Sequence, residues 1–301
     1  MNLFQDIKLS SGWKVINPIE KGWSEDAKYY VESADGKKLL LRISDISKME
    51  KKEKEFEVIN KYAQLGIEMS QPIEFGICNN RKSVYMLLTW VEGVDLEQAL
   101  PELSKKEQYA LGRMAGEILK KIHSIKVMPY DLPSTTKVQK KLKQLEAYVS
   151  SDIRIEEDKS VIQYIEQNIN KMWSVLPVYQ HGDFHPGNLI LTPDKRIGVI
   201  DFNRWEVGDP YEEFYKLESF GTEVSIPYCI GQIDAYFNDN VPDLFWEVLA
   251  VYVAHAALYS IKWAEKFGQN DVKHMVCICK RIFAHYDKFK LLKPVWYTKY
   301  N

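Results

Sequence analysis

Between His181 and Phe202 the chain gathers residue types suited to handling a phosphate. It reads His181-Gly182-Asp183-Phe184-His185-Pro186-Gly187-Asn188, and Val199-Ile200-Asp201-Phe202 follows soon after. Moving a phosphoryl group from a nucleotide to a hydroxyl needs a carboxylate that orients and deprotonates the acceptor. It also needs oxygen ligands for the Mg²⁺ that bridges the phosphates. Asp183 suits the first task; Asn188 and Asp201 suit the second. The runs LILT and IGVI, joined at PDK, read as a short hairpin able to bring the three together. An ordinary turn would use the same Asp and Asn only to cap backbone amides, so it is loop, hairpin and second Asp in combination that set the pattern apart.

The elements around this loop fall into two kinds. From Trp13 to about Thr89 the chain is strand-rich: AKYYVES and KKLLLRIS flank Asp35-Gly36, a tight-turn signal, and PIEFGI and SVYMLLTW flank the polar turn CNNRKS. A helix is expected over 48–65, with Phe56, Ile59 and Ala63 on one face. After Gly93 long helices take over. One starts at Ser104 with Glu107 three residues on, a capping box, and carries Leu111, Met114, Ala115, Ile118, Leu119 and Ile122 along a face. Others are expected near 136–149, 157–174, 210–220, 224–237, 243–265 and 270–288. Asp209-Pro210-Tyr211-Glu212 reads as a helix start, which makes Asp209 mainly structural.

Composition sets the frame. At 301 residues, 46% hydrophobic and 27% charged, the chain is globular rather than disordered or fibrous. A net charge of −2 provides no basic field for nucleic acid. Cys78, Cys229, Cys277 and Cys279 have no spacing that frames a disulfide scaffold or a zinc site, which fits free thiols in a reducing cytoplasm. The start lacks the pattern of a signal peptide, and the most apolar run, Val248 to Ile261, reads as too short to span a bilayer, so a membrane partner is not expected.

HGDFHPGN with IDF, behind a five-stranded lobe, resembles the aminoglycoside phosphotransferase and choline kinase-like family, small-molecule relatives of the eukaryotic protein kinases. The likeness runs from about Trp13 to about Phe289 and is most specific between His181 and Pro210. It implies an α+β, bilobal, protein-kinase-like fold. A small five-stranded antiparallel β lobe with one helix would occupy 1–92, and a large mainly helical lobe with the catalytic loop and acceptor site 93–301. By the same resemblance Asp183 is the catalytic base, Asn188 and Asp201 hold the metal, Mg²⁺ is the cofactor, and ATP or GTP is the donor. Gly208-Asp209-Pro210 also matches, with Glu213 where the family often has a structural Asp.

In the first lobe the segment Ile19 to Asp26 could turn over the phosphates, with Gly22 and Ser24 as contacts. It has one glycine where protein kinases have three, and a plain hairpin turn reads equally well. The third strand offers Arg42 where the family usually places a phosphate-pairing Lys; guanidinium keeps the charge with different geometry. Its expected partner is Glu55, with Ile59 and Tyr62 continuing that helix face. The connector at Thr89, Trp90 and Val91 corresponds to the hinge that would bond the nucleotide base through its backbone, or is simply an edge strand and turn.

A small-molecule acceptor is expected. Gly182 stands where protein kinases carry an Arg before the catalytic Asp, and the stretch from Phe202 to Pro210 is too short for a peptide platform. From Trp205 to Ile261 there are ten acidic residues against one basic residue, Lys216, so this segment carries −9 and the remainder +7. An acidic acceptor region suits a polycation such as an aminoglycoside; a solvated acidic surface is the competing reading. His185, Trp205, Glu206, Glu212 and Glu213 are the candidate acceptor contacts. Aromatic residues crowd the same region, which keeps a macrolide, choline or amino-sugar acceptor open, and a nucleotide-binding pseudokinase is the reading outside catalysis.

Overall fold

The computed structural model describes residue 4, residues 6–20 and residues 25–299. In order, the principal elements are β1 (Trp13–Ile19), β2 (Ala27–Ser33), β3 (Lys38–Asp45), α1 (Met49–Ala63), β4 (Pro72–Cys78), β5 (Ser83–Thr89), β6 (Val94–Asp95), α2 (Leu96–Ala99), α3 (Lys105–His123), α4 (Val138–Val149) and α5 (Lys159–Asn168). There follow β7 (Val178–Gln180), β8 (Leu189–Leu191), β9 (Ile197–Val199), β10 (Glu206–Gly208), α6 (Thr222–Val224), α7 (Ile226–Tyr236), α8 (Asp243–Ala264) and α9 (Gln269–His285). The chain divides into two compact units. One takes in the chain up to Val94 together with Leu189–Trp205; the other is Asp95–Asn188 with Glu206 onward.

The first unit is an antiparallel five-stranded sheet in the order β1-β2-β3-β5-β4. Alternation along β3 explains its two faces. Leu39, Leu41 and Ile43 point to a core shared with Val31, Cys78, Tyr85 and Leu87, while Arg42 and Ser44 point to the opposite face. The β2–β3 hairpin turns where Asp35-Gly36 predicts it: Gly36 adopts φ +79°, a conformation open to glycine, and its amide donates to the Ser33 carbonyl at 3.0 Å. α1 buries Lys52, Glu55, Val58, Ile59 and Tyr62, and Phe56 and Ala63 are only half-buried, so its inner face is rotated from the apolar one expected. Two charged residues on that face have partners waiting on β3 and Asp26.

The hairpin β8–β9, which pairs with β6 in a three-stranded sheet of its own, groups with this unit, whereas the expectation was that everything beyond residue 92 falls in the helical lobe. Backbone pairing decides the matter: Val199 N donates to Glu68 O at 2.9 Å and Ser70 N donates to Val199 O at 3.2 Å. Gly198 allows the close approach, since a Cβ there would lie 2.4 Å from Val91 Cγ1.

The second unit is mainly helical. Its α3 begins with the expected capping box, Ser104 Oγ accepting from Glu107 N and Glu107 accepting from Ser104 N. Leu111, Ala115, Leu119 and Ile122 are buried as expected, but Met114 faces solvent. Gly112 and Gly116 take the contact line instead: a Cβ on either would strike the carbonyls of Tyr228 and Gln232 in α7, at 2.1 and 2.3 Å. The two helices therefore pack backbone against backbone.

The apolar run at Val248 to Ile261 lies within α8, 22 residues long and of mean hydropathy 1.5. That helix, rather than the run alone, is long and apolar enough to cross a membrane, but 72% of its most apolar 18-residue stretch is buried within the protein. The helix expected over 210–220 is replaced by a 3₁₀ turn at Glu212–Phe214 and a π-helical turn at Leu217–Gly221. Glu212, Glu213, Lys216 and Glu218 are all buried there, and the backbone follows their bonds rather than a 3.6-residue period.

Candidate active site

In the sheet unit, β3 presents Arg42 to a closed set of charges. Its Nη1 donates to Glu55 Oε1 at 2.5 Å and its Nη2 to Asp26 Oδ2 at 2.6 Å. Lys52, one turn before Glu55 on α1, donates to the same two carboxylates at 2.6 and 2.9 Å, and Ser44 Oγ donates to Asp26 Oδ1 at 2.7 Å. Arg42 and Glu55 are thus brought together as the sequence suggested. Asp26 and Lys52 complete a buried quartet that it did not foresee. Burial alone would raise the Asp26 carboxyl; Arg42 and Lys52 outweigh it and hold the group well below the usual carboxylate range. Burial likewise opposes the Arg42 charge, and Glu55 and Asp26 more than restore it.

Asp201 follows β9 in a left-handed conformation, φ 62°. Phe202 anchors it by packing on Tyr62 of α1, with ring centroids 5.4 Å apart. Lys28 of β2, the register partner of Arg42, places its ammonium 3.3 Å from Asp201 Oδ2. Sequence reading missed Lys28. The only signal for it is its place on β2 opposite Arg42, which requires the strand register.

At the expected hinge two backbone amides are already engaged. Thr89 N donates to Gln71 O at 2.9 Å and Trp90 N to Lys38 O at 3.0 Å, so neither amide is a donor for a nucleotide base. Val91 is buried against Gly198. Gly22 and Ser24 lie outside the described residues.

In the helical unit the loop after β7 carries Asp183. Gly182 turns the chain at φ +80°, and the loop is gripped from below by Glu213, whose Oε2 accepts from His181 N at 2.8 Å and whose Oε1 accepts from Gly182 N at 2.7 Å. His123 of α3 approaches the same carboxylate at 3.2 Å. From the far end Asn188 Nδ2 donates to the Asp183 carbonyl at 2.9 Å, which leaves its Oδ1 as the donor atom it presents. His181 is fully buried; its Nδ1 accepts from Asp183 N at 3.2 Å and its ring meets Phe184 edge-on. The Asp183 carboxylate stays 15% exposed, with Lys216 Nζ 2.6 Å and His185 Nε2 3.7 Å from Oδ1.

Glu213 is therefore a support of this loop, a correction to its expected place among the acceptor contacts. Glu212 is also turned inward, toward Lys141 at 2.7 Å and Lys137 at 3.9 Å. Burial raises its carboxyl, but Lys141 and Lys137 prevail and lower it. Glu206 pairs with Lys137. Trp205 is half-buried. His185 stands against the Phe220 ring at 5.0 Å, beside Asp183.

Asp209 is buried among three donors, Tyr211 N at 2.9 Å, Trp173 N at 2.8 Å and Tyr252 Oη at 3.0 Å, a structural arrangement that ties the segment down. Burial pushes its carboxyl up against those bonds.

The same accounting covers the acidic stretch. Glu218 meets His285 and Trp296, Glu223 meets Arg281, Asp234 meets Tyr109 and Tyr297, Asp239 meets Arg113, and Glu247 meets Lys171. Of the ten acids, only Asp243, in the first turn of α8, shows no such partner among the described residues. Five of the ten, Glu206, Glu212, Glu223, Asp239 and Glu247, thus have lysine or arginine partners, so about half of the segment's negative charge is compensated locally.

A five-stranded antiparallel sheet with a buried Arg–Glu pair, and a helical unit with an Asp-x₄-Asn loop, together define the α+β protein-kinase-like class of phosphotransferases. Solved structures agree on the fold. The GDP complex of aminoglycoside 2'-phosphotransferase-IIIa is similar at a TM-score of 0.68 and 14% identity, over 93% of this chain and 96% of that one. A gentamicin complex of the aminoglycoside phosphotransferase APH(2")-IIa gives 0.66 and 18%, over 93% of each chain. The amicoumacin kinase hAmiN, in complex with AMP-PNP, Ca²⁺ and Ami, gives 0.66 and 12%, over 92% of this chain and 90% of that one. No curated protein matches by sequence. The profile of the phosphotransferase enzyme family APH matches residues 15–246, and the chain belongs to that family.

Proposed function

We propose that the protein is a small-molecule kinase that transfers the γ-phosphoryl group of ATP or GTP to a hydroxyl of its acceptor, with an aminoglycoside as the leading candidate. The observation that carries the reading is the Asp183 carboxylate on a loop whose amides and carbonyl are fixed by Glu213 and Asn188. Phosphoryl transfer depends on positioning and charge more than on covalent chemistry, and a preorganised carboxylate suits it. The acceptor oxygen bonds to the γ-phosphorus, its proton passes to Asp183, and the bond from that phosphorus to the bridging oxygen breaks to leave the nucleoside diphosphate.

Asn188 Oδ1 on the loop and the Asp201 carboxylate after β9 are each a hard oxygen ligand of the kind Mg²⁺ takes, and they are the residues that would hold it; among the described residues there is no cluster of three or more His, Cys, Asp or Glu. When bound, the metal supplies charge neutralisation on the nucleotide phosphates. Arg42 is held by two carboxylates, so its part is to fix Glu55 and Asp26 around the nucleotide-binding face; Lys28 is the cation that reaches Asp201. The four cysteines are free and three are buried, which suits a reducing cytoplasm.

Similar folds whose complexes hold gentamicin or hygromycin B support the aminoglycoside reading. The internal pairing of the acidic segment favours a second: an acceptor with less positive charge, such as a macrolide, choline or an amino sugar. The test is nucleoside diphosphate release with Mg²⁺ and ATP or GTP over a panel of gentamicin, hygromycin B, a macrolide and choline, with Asp183→Ala as control. Turnover that requires one acceptor and is lost in the variant supports the kinase and selects its class. Nucleotide binding without turnover would instead favour a binding module.

A further inference from the structure

Lys216 is the one basic residue between Trp205 and Ile261, and its placement is unusual. The ammonium is 2.6 Å from Asp183 Oδ1 while its side chain is only 5% exposed. It lies over the rings of Tyr215 and Phe220, at 5.0 and 5.3 Å from their centroids. A lysine is costly to enclose unless an anion and polarisable surfaces receive it. Three residues earlier, Glu213 holds the amides of His181 and Gly182. One short segment thus grips the loop twice, by its backbone and by its carboxylate. That segment then runs directly into the π-helical turn Leu217–Gly221, a form frequent at functional sites.

From this geometry we infer that Lys216 is a positioning residue for phosphoryl transfer. It holds Asp183 Oδ1, fixes the rotation of the carboxylate, and so aims the base at the acceptor hydroxyl, with His185 at 3.7 Å bounding the same oxygen. The role of Lys216 rests on the reading of Asp183 as the base. Because it acts through Asp183, its effect must vanish once Asp183 is disabled.

The test uses the full chain with Mg-ATP, followed by ADP release with water as acceptor and with gentamicin. Lys216→Met, Lys216→Gln and Lys216→Arg are compared with the wild type, and Lys216→Met is repeated in the Asp183→Asn background. The inference expects kcat to fall about 10²-fold in Lys216→Met, the scale of a misplaced general base, with KM for Mg-ATP changed by less than about twofold. Lys216→Arg should recover about tenfold of that loss, and Lys216→Met should have no further effect beside Asp183→Asn. Wild-type kcat in a folded Lys216→Met or Lys216→Gln overturns the inference, as does a further fall in the Asp183→Asn background. Should Lys216→Met fail to fold, Lys216→Gln, which is one atom shorter and neutral but keeps a polar end, decides in the same way. A wild type that turns over no nucleotide overturns the kinase reading itself, and this inference with it.

Discussion

In the sheet unit, Arg42 and Lys52 are locked to Asp26 and Glu55 by contacts of 2.5–2.9 Å, and all four residues are buried. In the helical unit Asp183 forms an ion pair with Lys216 yet keeps 15% of its side chain in solvent. Both places put lysine or arginine on a carboxylate. The first is closed on itself and shapes the fold; the second leaves a charged group where a substrate can reach it. Charge pairing alone therefore does not mark a catalytic residue; under the proposed function it is the partly open carboxylate of the second pair that would meet the acceptor.

The largest stability effect separates the two directly. Glu55→Ala leaves Arg42 and Lys52 with one carboxylate between them in a buried setting, and should cost about 3–5 kcal/mol, read by denaturant unfolding. Asp183→Asn keeps an oxygen to receive Lys216 and is partly exposed, so it should cost clearly less than Glu55→Ala while removing turnover. If both variants unfold alike, the contrast fails.

Glu213→Ala comes next, because it strips the acceptor from two amides beneath the catalytic loop. A loss of about 2–4 kcal/mol is expected, together with a fall in kcat although Asp183 is intact. Unchanged kcat would show that the loop does not need this support.

Acid should reach the helical unit first. Burial, reinforced by Lys141, lowers His255 to about 3. Its ordinary value is about 6.5, so the unfolded chain takes up a proton that the native state refuses. Stability from this group is full above pH 6.5 and is lost as pH falls from 6.5 toward 3, about 2 kcal/mol between pH 7 and 5. His255→Gln should flatten that part of the stability profile. Asp26, held low, should be felt only below about pH 4, where its unfolded carboxyl begins to protonate. A profile insensitive to His255→Gln between pH 7 and 5 would contradict the assignment.

The smallest effect belongs to the exposed pair Arg113–Asp239, with side chains 37% and 61% exposed. Asp239→Asn should change stability by less than about 1 kcal/mol. A larger loss would show that the acidic segment's pairing is structural even at the surface.

Much of this was legible in the chain. The Asp35-Gly36 turn, the Ser104–Glu107 capping box and the β8–β9 hairpin are local signals, set by backbone conformations and spacing that a few residues dictate. The Arg42–Glu55 contact was legible through the family resemblance, which places a cation on the third strand and its Glu partner on the helix that follows. What stayed hidden depends on who faces whom across long separations. Lys28 opposite Asp201, Glu213 under Gly182 and Lys216 on Asp183 are separated by many residues, and nothing in their immediate sequence announces them. The charge excess of the 205–261 segment was counted correctly but read as a field. A count does not reveal that Lys137, Lys141, Lys171, Arg113 and Arg281 are folded against it. The glycine contact of α3 with α7 was missed because hydrophobic periodicity ranks Met114 above Gly112, whereas backbone approach rewards the smaller residue.

The most direct measurement is nucleoside diphosphate release by the wild type and by Asp183→Asn, each with Mg²⁺, ATP or GTP, and the acceptor panel. The account predicts acceptor-dependent turnover in the wild type and a loss of at least about 10²-fold in the variant, at equal nucleotide-induced thermal stabilisation. Equal turnover in the two proteins would contradict it.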